Sequence, residues 1–202
     1  MILLYTLAAY LIGSVPSAYV LGKTKNIDIT KLGSGNVGGT NAFRVMGWKA
    51  GLFVALFDVM KAVLPIYVAA NILRLSPWEL SLIALAVVVG HSWSIYIGFK
   101  GGKGIATIIG VSLVLFPQPL FVVLLLAVTV IAASKFVSLG SIVLVTTLPI
   151  YLFVKDYPSA YIILSVVLGG LSIYRHRENI DRLLKGKERK VGEKSAGTPL
   201  SK

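Results

Sequence analysis

Residues 33–44 read GSGNVGGTNAFR, and the fold turns on what this stretch is. Gly33, Gly35 and Gly38 spell G-x-G-x-x-G, and Asp58 follows about 20 residues later, as a dinucleotide fingerprint asks. Gly33 to Thr40 also approaches a P-loop, with Gly39 where the lysine belongs. Both motifs work only when a strand leads into the glycine turn and a βαβ unit surrounds it. Here an apolar run precedes the turn and another follows, and Asp58 lies inside the second run. The nucleotide readings therefore fail, while the physics of the turn survives. Successive glycines let backbone N–H groups converge on an anion. Ser34, Asn36, Thr40 and Asn41 add short polar groups, and Arg44 adds a planar fork suited to phosphate or carboxylate.

Composition agrees with a membrane chain. Of 202 residues, 56% are hydrophobic and 14% charged, where a soluble domain is nearer a quarter charged; the mean hydropathy is +0.83. There is no cysteine and only 2 histidines, which excludes thiol nucleophiles, disulfides and a His-rich metal centre. The first 22 residues have the length of a signal peptide but lack a basic n-region and carry too long an apolar run, so they read as a retained helix. Apolar segments at 2–22, 51–73, 79–99, 104–117, 119–134, 139–154 and 158–174 give seven candidate spans. Those at 104–117 and 119–134 are short, separated by Phe-Pro-Gln-Pro at 116–119, whose two prolines favour a break.

Charge orients the spans. The formal net charge is +12. Seven spans place loop 23–50, loop 100–103, Lys135 and the tail 175–202 on one side, with seventeen of the 20 basic residues; Arg74 and Lys155 face the other side. Six spans would separate the basic tail from the basic first loop. The positive-inside rule thus predicts an all-α polytopic membrane protein of one domain, with seven transmembrane helices, the N-terminus outside and the C-terminus cytoplasmic.

Two further polar clusters fall on the same side. GHSWSIYIGFKGGKG, 90–104, ends in a cationic glycine turn, Gly101, Gly102, Lys103 and Gly104, followed by a helix whose first amides can face an anion. YRHRENIDRLLKGKE, 174–188, leaves the last span with His176 and Asn179 three residues apart on one helical face. Its H-x-x-x-x-D match, His176 to Asp181, puts the two side chains about 140° apart on a helix and is read as chance. Ser141, in KFVSLGS, starts the sixth span on that face too. Within the spans, Asp58 and Lys61 are three residues apart and are expected to pair, and His91 reads as a buried structural histidine. Gly35, Asn36, Gly38, Gly39, Thr40, Asn41, Gly101, Gly102, Lys103, Gly104 and Ser141 are therefore candidate anion-binding residues at a membrane face. Either an enzyme acting on a phosphate-bearing substrate or a transporter of a small organic phosphate fits; a transporter predicts discontinuous helices and polar groups at mid-membrane.

GSGNVGGTNAFRVMG, GHSWSIYIGFKGGKG and HRENIDRLLKGKE, in this order, closely resemble the three cytoplasmic motifs of the PlsY family, the bacterial acyl-phosphate:glycerol-3-phosphate acyltransferases, over nearly the whole chain. The resemblance implies transfer of a fatty acyl group from acyl phosphate to the sn-1 hydroxyl of glycerol 3-phosphate, giving lysophosphatidic acid and phosphate, the first step of phospholipid synthesis. It implies a place in the bacterial inner membrane with the site on the cytoplasmic face, membrane lipid as neighbour, and no cofactor, metal, nucleotide or nucleic acid. By resemblance Ser34 and Arg44 are catalytic or orient substrate, Lys103 and the glycines of the second motif hold acyl phosphate, His176 and Asn179 hold glycerol phosphate near the chemistry, and Glu178 is structural. The base is either His176 or a phosphate oxygen of the substrate.

Overall fold

In the computed structural model, which describes residues 1–193, every regular element of the described residues is helical; the single exception is one antiparallel bridge between Ser94 and Lys100. The basic-tail residues Lys194 and Lys202 lie outside the described residues. The helices are α1 (Ile2–Ser14), α2 (Ser17–Thr24), α3 (Gly39–Met46), α4 (Trp48–Tyr67, extended by a π turn, Val68–Ile72), α5 (Pro77–Ser92), α6 (Ile105–Leu115), α7 (Pro117–Ser134), α8 (Val137–Val154), α9 (Ser159–Arg175) and α10 (Arg177–Leu184).

Three helices are individually long and apolar enough to cross a bilayer: α4 with its π turn, α7 and α8. The pairs α1–α2 and α9–α10 also qualify if each bent pair is one span, while α5 and α6 are apolar but shorter. Length and composition thus give three to five spans, and apolar helices with altered bounds occupy the seven expected segments. The segment 2–22 is not continuous, because Pro16 lacks an N–H and breaks it into α1 and α2 at a 42° bend. The segment 79–99 stops as a helix at Ser92, and 95–97 form a 3-10 turn within a tight hairpin. The stretch 23–50 contains α3 and the start of α4 rather than an open loop. The break at Phe-Pro-Gln-Pro falls where the prolines place it: Phe116 leaves helical geometry and Pro117 opens α7, at a helix start where the missing N–H costs nothing.

The helices approach closely because glycines sit at the crossings. Gly13 and Gly90 join α1 to α5, Gly110 meets Val59 of α4, Gly140 meets α7, and Gly169 faces the Val145 carbonyl of α8. In lipid, where burial of apolar surface drives nothing, such small residues let van der Waals contact and helix packing hold the bundle. Ile66, Ile83, Val87, Val111, Leu144 and Leu152 fill the interior, whereas Leu52, Phe53, Leu56, Phe57, Met60 and Leu64 leave one face of α4 apolar and bare.

A buried polar cluster fastens the Pro16 break. Lys61 Nζ lies 2.8 Å from Asp58 Oδ1 and donates to the Val15 carbonyl at 2.8 Å, and Ser17 Oγ donates to Asp58 Oδ1 at 2.8 Å. The expected Asp58–Lys61 pair therefore forms. It does more than neutralise two intramembrane charges, since it adds a second donor at the Val15 carbonyl, which already takes the Ser17 N–H at 3.1 Å, and so ties α4 to the break.

Candidate functional site

The glycine loop is folded by one side chain. Asn41, fully buried, accepts from the Ser34 N–H at 2.9 Å and donates through Nδ2 towards the carbonyls of Ile29, Leu32 and Asn36. Gly33 and Gly35 have φ of +63° and +70°, and a side chain on Gly33 would run into Asn41. The turn delivers the chain into α3, whose N-cap, Gly38, offers no side-chain cap. The Asn41 N–H closes onto the Gly38 carbonyl at 3.1 Å, and the Gly39 and Thr40 amides before it have no side-chain cap.

The second turn builds a matching end. Gly104, with φ of +86°, caps α6 without a side chain, and its carbonyl receives the Ile108 N–H at 2.7 Å. The amides of Ile105 and Ala106 are left open at the N-terminus of α6. Both helix starts open into one cavity of about 470 Å³, with Ser34, Asn36, Gly38, Gly39, Thr40, Asn41 and Arg44 on one side and Lys103, Gly104 and Ile105 on the other. Ser138 and Ser141 of α8, His176, Asn179 and Glu188 close it, and Ala55, Val59 and Ile109 give it an apolar wall.

The third segment turns a corner at His176. There α9 ends and α10 leaves at 61°, so His176 and Asn179 do not share one straight helical face, yet both line the cavity. His176 Nδ1 lies 2.8 Å from the Ser172 carbonyl, which fixes Nδ1 as the donor and leaves Nε2 as the acceptor of a neutral ring. Burial, with the charge of Lys103 beside it, pushes His176 down to about 4. Asn179 is oriented by its partners without ambiguity. Lys103 Nζ can only donate and meets Oδ1; Glu188 can only accept and takes Nδ2 at 2.7 Å.

Glu188 is the site residue that the sequence did not reveal. It accepts from Asn179, from Ser138 Oγ at 2.9 Å and from Arg182 Nε at 2.7 Å. Burial acts to raise its pKa, and those hydrogen bonds outweigh burial and hold it below the usual carboxylate range. Lys103 is drawn down to about 8, chiefly by burial, with Glu188 acting in the opposite sense. A backbone bond from Val191 N–H to the Lys135 carbonyl, 2.8 Å, ties this stretch to the α7–α8 turn.

Several expected residues stand elsewhere. Gly35 shapes the first turn but does not line the cavity. Gly101 and Gly102 are packed against His91 and turn their carbonyls to Arg175, which donates Nη2 and Nε to them at 2.6 and 3.1 Å. Through their carbonyls they hold a cation of the protein. Glu178 is exposed and its distance to Arg182 is 4.0 Å; the buried acid of the segment is Glu188. Asp181 pairs at the surface with Lys185, outside the cavity. Asp58 and His91 reach the cavity's floor, His91 Nδ1 lying 3.7 Å from Asp58 Oδ1, while Lys61 faces the Pro16 break. Among the described residues no group of three His, Asp or Glu side chains is placed to hold a metal ion.

Two helix starts, a guanidinium, an ammonium and a neutral histidine facing one cavity beside an apolar wall suit a ligand that carries phosphate and a hydrocarbon chain. Comparison with known proteins points the same way. Residues 3–186 match the family model described as glycerol-3-phosphate acyltransferase. A glycerol-3-phosphate acyltransferase of Alkaliphilus metalliredigens is 44% identical over 196 residues, covering 96% of this chain and 98% of the relative. One from Aquifex aeolicus is 40% identical over 180 residues, 89% of this chain and 94% of the relative. The crystal structure of PlsY (YgiH), an integral membrane glycerol 3-phosphate acyltransferase, in its glycerol 3-phosphate form superposes with a TM-score of 0.91 at 39% identity, over 95% of this chain and 96% of that one. The lysophosphatidic acid form of the same enzyme gives 0.88, over 95% of each chain. This chain belongs to the glycerol-3-phosphate acyltransferase family and has its all-helical integral membrane fold.

Proposed function

We propose that this chain, as a member of the glycerol-3-phosphate acyltransferase family, transfers a fatty acyl group from acyl phosphate to the sn-1 hydroxyl of glycerol 3-phosphate. The observation that carries the reading is the pair of uncapped helix starts, α3 and α6, opening with Arg44 and Lys103 into one cavity. Two phosphate-bearing substrates need two anion seats, and free helix amides with a nearby cation make such seats. The apolar wall of Ala55, Val59 and Ile109 adjoins them, where an acyl chain entering from lipid lies against hydrocarbon.

In the reaction the sn-1 oxygen attacks the acyl carbonyl carbon, the bond from that carbon to the phosphate oxygen breaks, and inorganic phosphate leaves with the electron pair. Acyl phosphate is already activated, so the protein need not supply a nucleophile, and a chain without cysteine loses nothing. What it supplies is alignment and neutralisation of charge. Arg44 and the α3 amides seat one phosphate, Lys103 and the α6 amides the other, and Ser34, at the mouth, orients the reacting groups. Asn36, Gly38, Gly39, Thr40, Gly104 and Ser141 line the same seats, and Asn179 and His176 direct the glycerol.

The hydroxyl proton goes to a substrate phosphate oxygen. His176, with a conjugate acid near 4, is a weaker base than a phosphate monoester, whose second pKa is about 6. His176 Nε2 then accepts a hydroxyl hydrogen bond and positions the glycerol. His176→Gln is expected to raise KM for glycerol 3-phosphate more than it lowers kcat; a collapse of kcat at constant KM would assign the base to His176.

The charge distribution supports seven crossings, with the N-terminus outside and the site at the cytoplasmic face of the bacterial inner membrane. The bent pair α1–α2, the short α5 and α6, and α9 then complete the spans beside α4, α7 and α8, with α10 at the cytoplasmic face.

Phosphate release by the purified protein in lipid is the direct test, with acyl phosphate supplied with and without glycerol 3-phosphate. Release that requires glycerol 3-phosphate, with equimolar lysophosphatidic acid, is expected. Folded protein that turns over acyl-CoA but no acyl phosphate would refute the donor.

A further inference from the structure

A second cavity, of about 370 Å³, lies away from the catalytic one, between the end of α2, the end of α3 and the first turns of α4. Leu21, Met46, Ala50 and the half-exposed Phe53 give it an apolar lining, and two lysines, Lys25 and Lys49, line it with Trp48. Both lysines are exposed, and neither has an acidic partner within 4.0 Å among the described residues. Two cations beside an apolar lining do not suit a soluble anion, which gains nothing from the lining.

The surroundings name the occupant. Phe53 belongs both to the cavity and to the bare face of α4, which continues through Leu56, Phe57, Met60 and Leu64 towards the membrane interior. Trp48, 62% exposed, stands at the first residue of that span, where aromatic side chains sit at headgroup level. The cavity is therefore the head of a continuous apolar track, with positive charge only at the top. Its volume is too small for a whole phospholipid and suits a headgroup with its glycerol backbone, the chains running down α4.

We propose that this cavity is a binding site for a phospholipid with an anionic headgroup, held by Lys25 and Lys49 with its acyl chains along the Phe53–Phe57 face of α4. The site is independent of which acyl donor the enzyme uses. It lies behind α3, whose other face carries Asn41 and Arg44, so it seats a structural lipid beside the catalytic loop without entering the catalytic cavity. Basic residues near an anionic surface contribute about 1 kcal/mol each, so two lysines give a preference for an anionic over a zwitterionic lipid of up to about thirtyfold.

Tryptophan quenching tests this on the full chain in vesicles. Brominated phosphatidylglycerol at low mole fraction is expected to quench emission more than brominated phosphatidylcholine. The excess should vanish in Trp48→Phe, which identifies the reporter, and in Lys25→Gln/Lys49→Gln, which retains wild-type turnover. Millimolar inorganic phosphate should leave the excess unchanged. Equal quenching by the two lipids, an excess that persists in the double lysine variant or in Trp48→Phe, or relief of quenching by inorganic phosphate would each overturn the proposal.

Discussion

Glu188→Ala removes the acceptor that holds three donors at once, and its effect can be sized from the geometry. Asn179 Nδ2 and Arg182 Nε each reach Glu188 at 2.7 Å, and Ser138 Oγ at 2.9 Å; the carboxylate side chain is 4% exposed. Hydrogen bonds to a charged group contribute about 1.5–3 kcal/mol each. Removing one partner of a buried ion pair costs about 3–5 kcal/mol, since the other is left uncompensated. Arg182 is a third exposed and recovers part of its hydration, so the lower half of that range, about 3–4 kcal/mol, is expected. Asn179 is then free to rotate away from Lys103. If the loss appears in positioning, kcat/KM for glycerol 3-phosphate falls by about two to three orders of magnitude, at 1.36 kcal/mol per decade. The assay is steady-state phosphate release, beside thermal unfolding in detergent to confirm a folded sample. Glu188→Gln, which keeps one acceptor oxygen, should lose less. A folded Glu188→Ala protein within threefold of wild type would refute the view that this acid orients Asn179.

Other outcomes follow from single contacts. Lys103, near 8 when folded, loses its charge as pH rises through that value, so KM for the phosphate substrate it contacts should climb above pH 8; a flat profile to pH 9.5 would remove it from phosphate binding. His176 has a folded value of about 4 against 6.5 unfolded, so its contribution to stability is complete above pH 6.5 and declines as pH falls towards 4; the acid-side loss of melting temperature should be smaller in His176→Gln. Gly169 and Gly170 are neighbours with opposite expectations: a methyl on Gly169 meets the Val145 carbonyl at 2.8 Å and should loosen α8 from α9, whereas Gly170 faces open space and its change to alanine should stabilise α9 by about 0.5–1 kcal/mol. Lys61→Met should destabilise by about 3–5 kcal/mol, because it leaves the buried Asp58 carboxylate without its cation, and adding Asp58→Asn should restore part of that loss in a two-variant unfolding comparison.

The membrane character, the helical class and the two cationic glycine turns were legible because they depend on composition and local residue type. Pro117 and Pro119 marked the α6–α7 break, and the spacing of Asp58 and Lys61 gave their pairing. The bend in the first span was not legible because Pro16 stands in an otherwise unbroken apolar run, and only the long-range contact of Lys61 with the Val15 carbonyl shows the break to be a built feature. Gly101 and Gly102 looked like an anion cradle because sequence cannot tell whether a turn presents N–H or C=O groups; their carbonyls serve Arg175, 73 and 74 positions away. Glu188 was hidden for the same reason. Within KGKERK it reads as one solvated acid among bases, and its value appears only when the tail folds back beneath α8.

That return of the tail sets a schedule for the molecule during synthesis. The glycine turn at 33–44 emerges early and the helices around it can insert one after another, yet Asn179 is not oriented until Glu188 arrives and Val191 is fastened to Lys135. These contacts join the tail to Ser138 and Lys135, 50 and 56 residues upstream, so each closes a long loop and waits for the last residues to emerge. The enclosed site is therefore the last part of the protein to exist, and a ribosome-bound chain stalled anywhere before Glu188 is a membrane-inserted protein with its substrate cavity still open on one side.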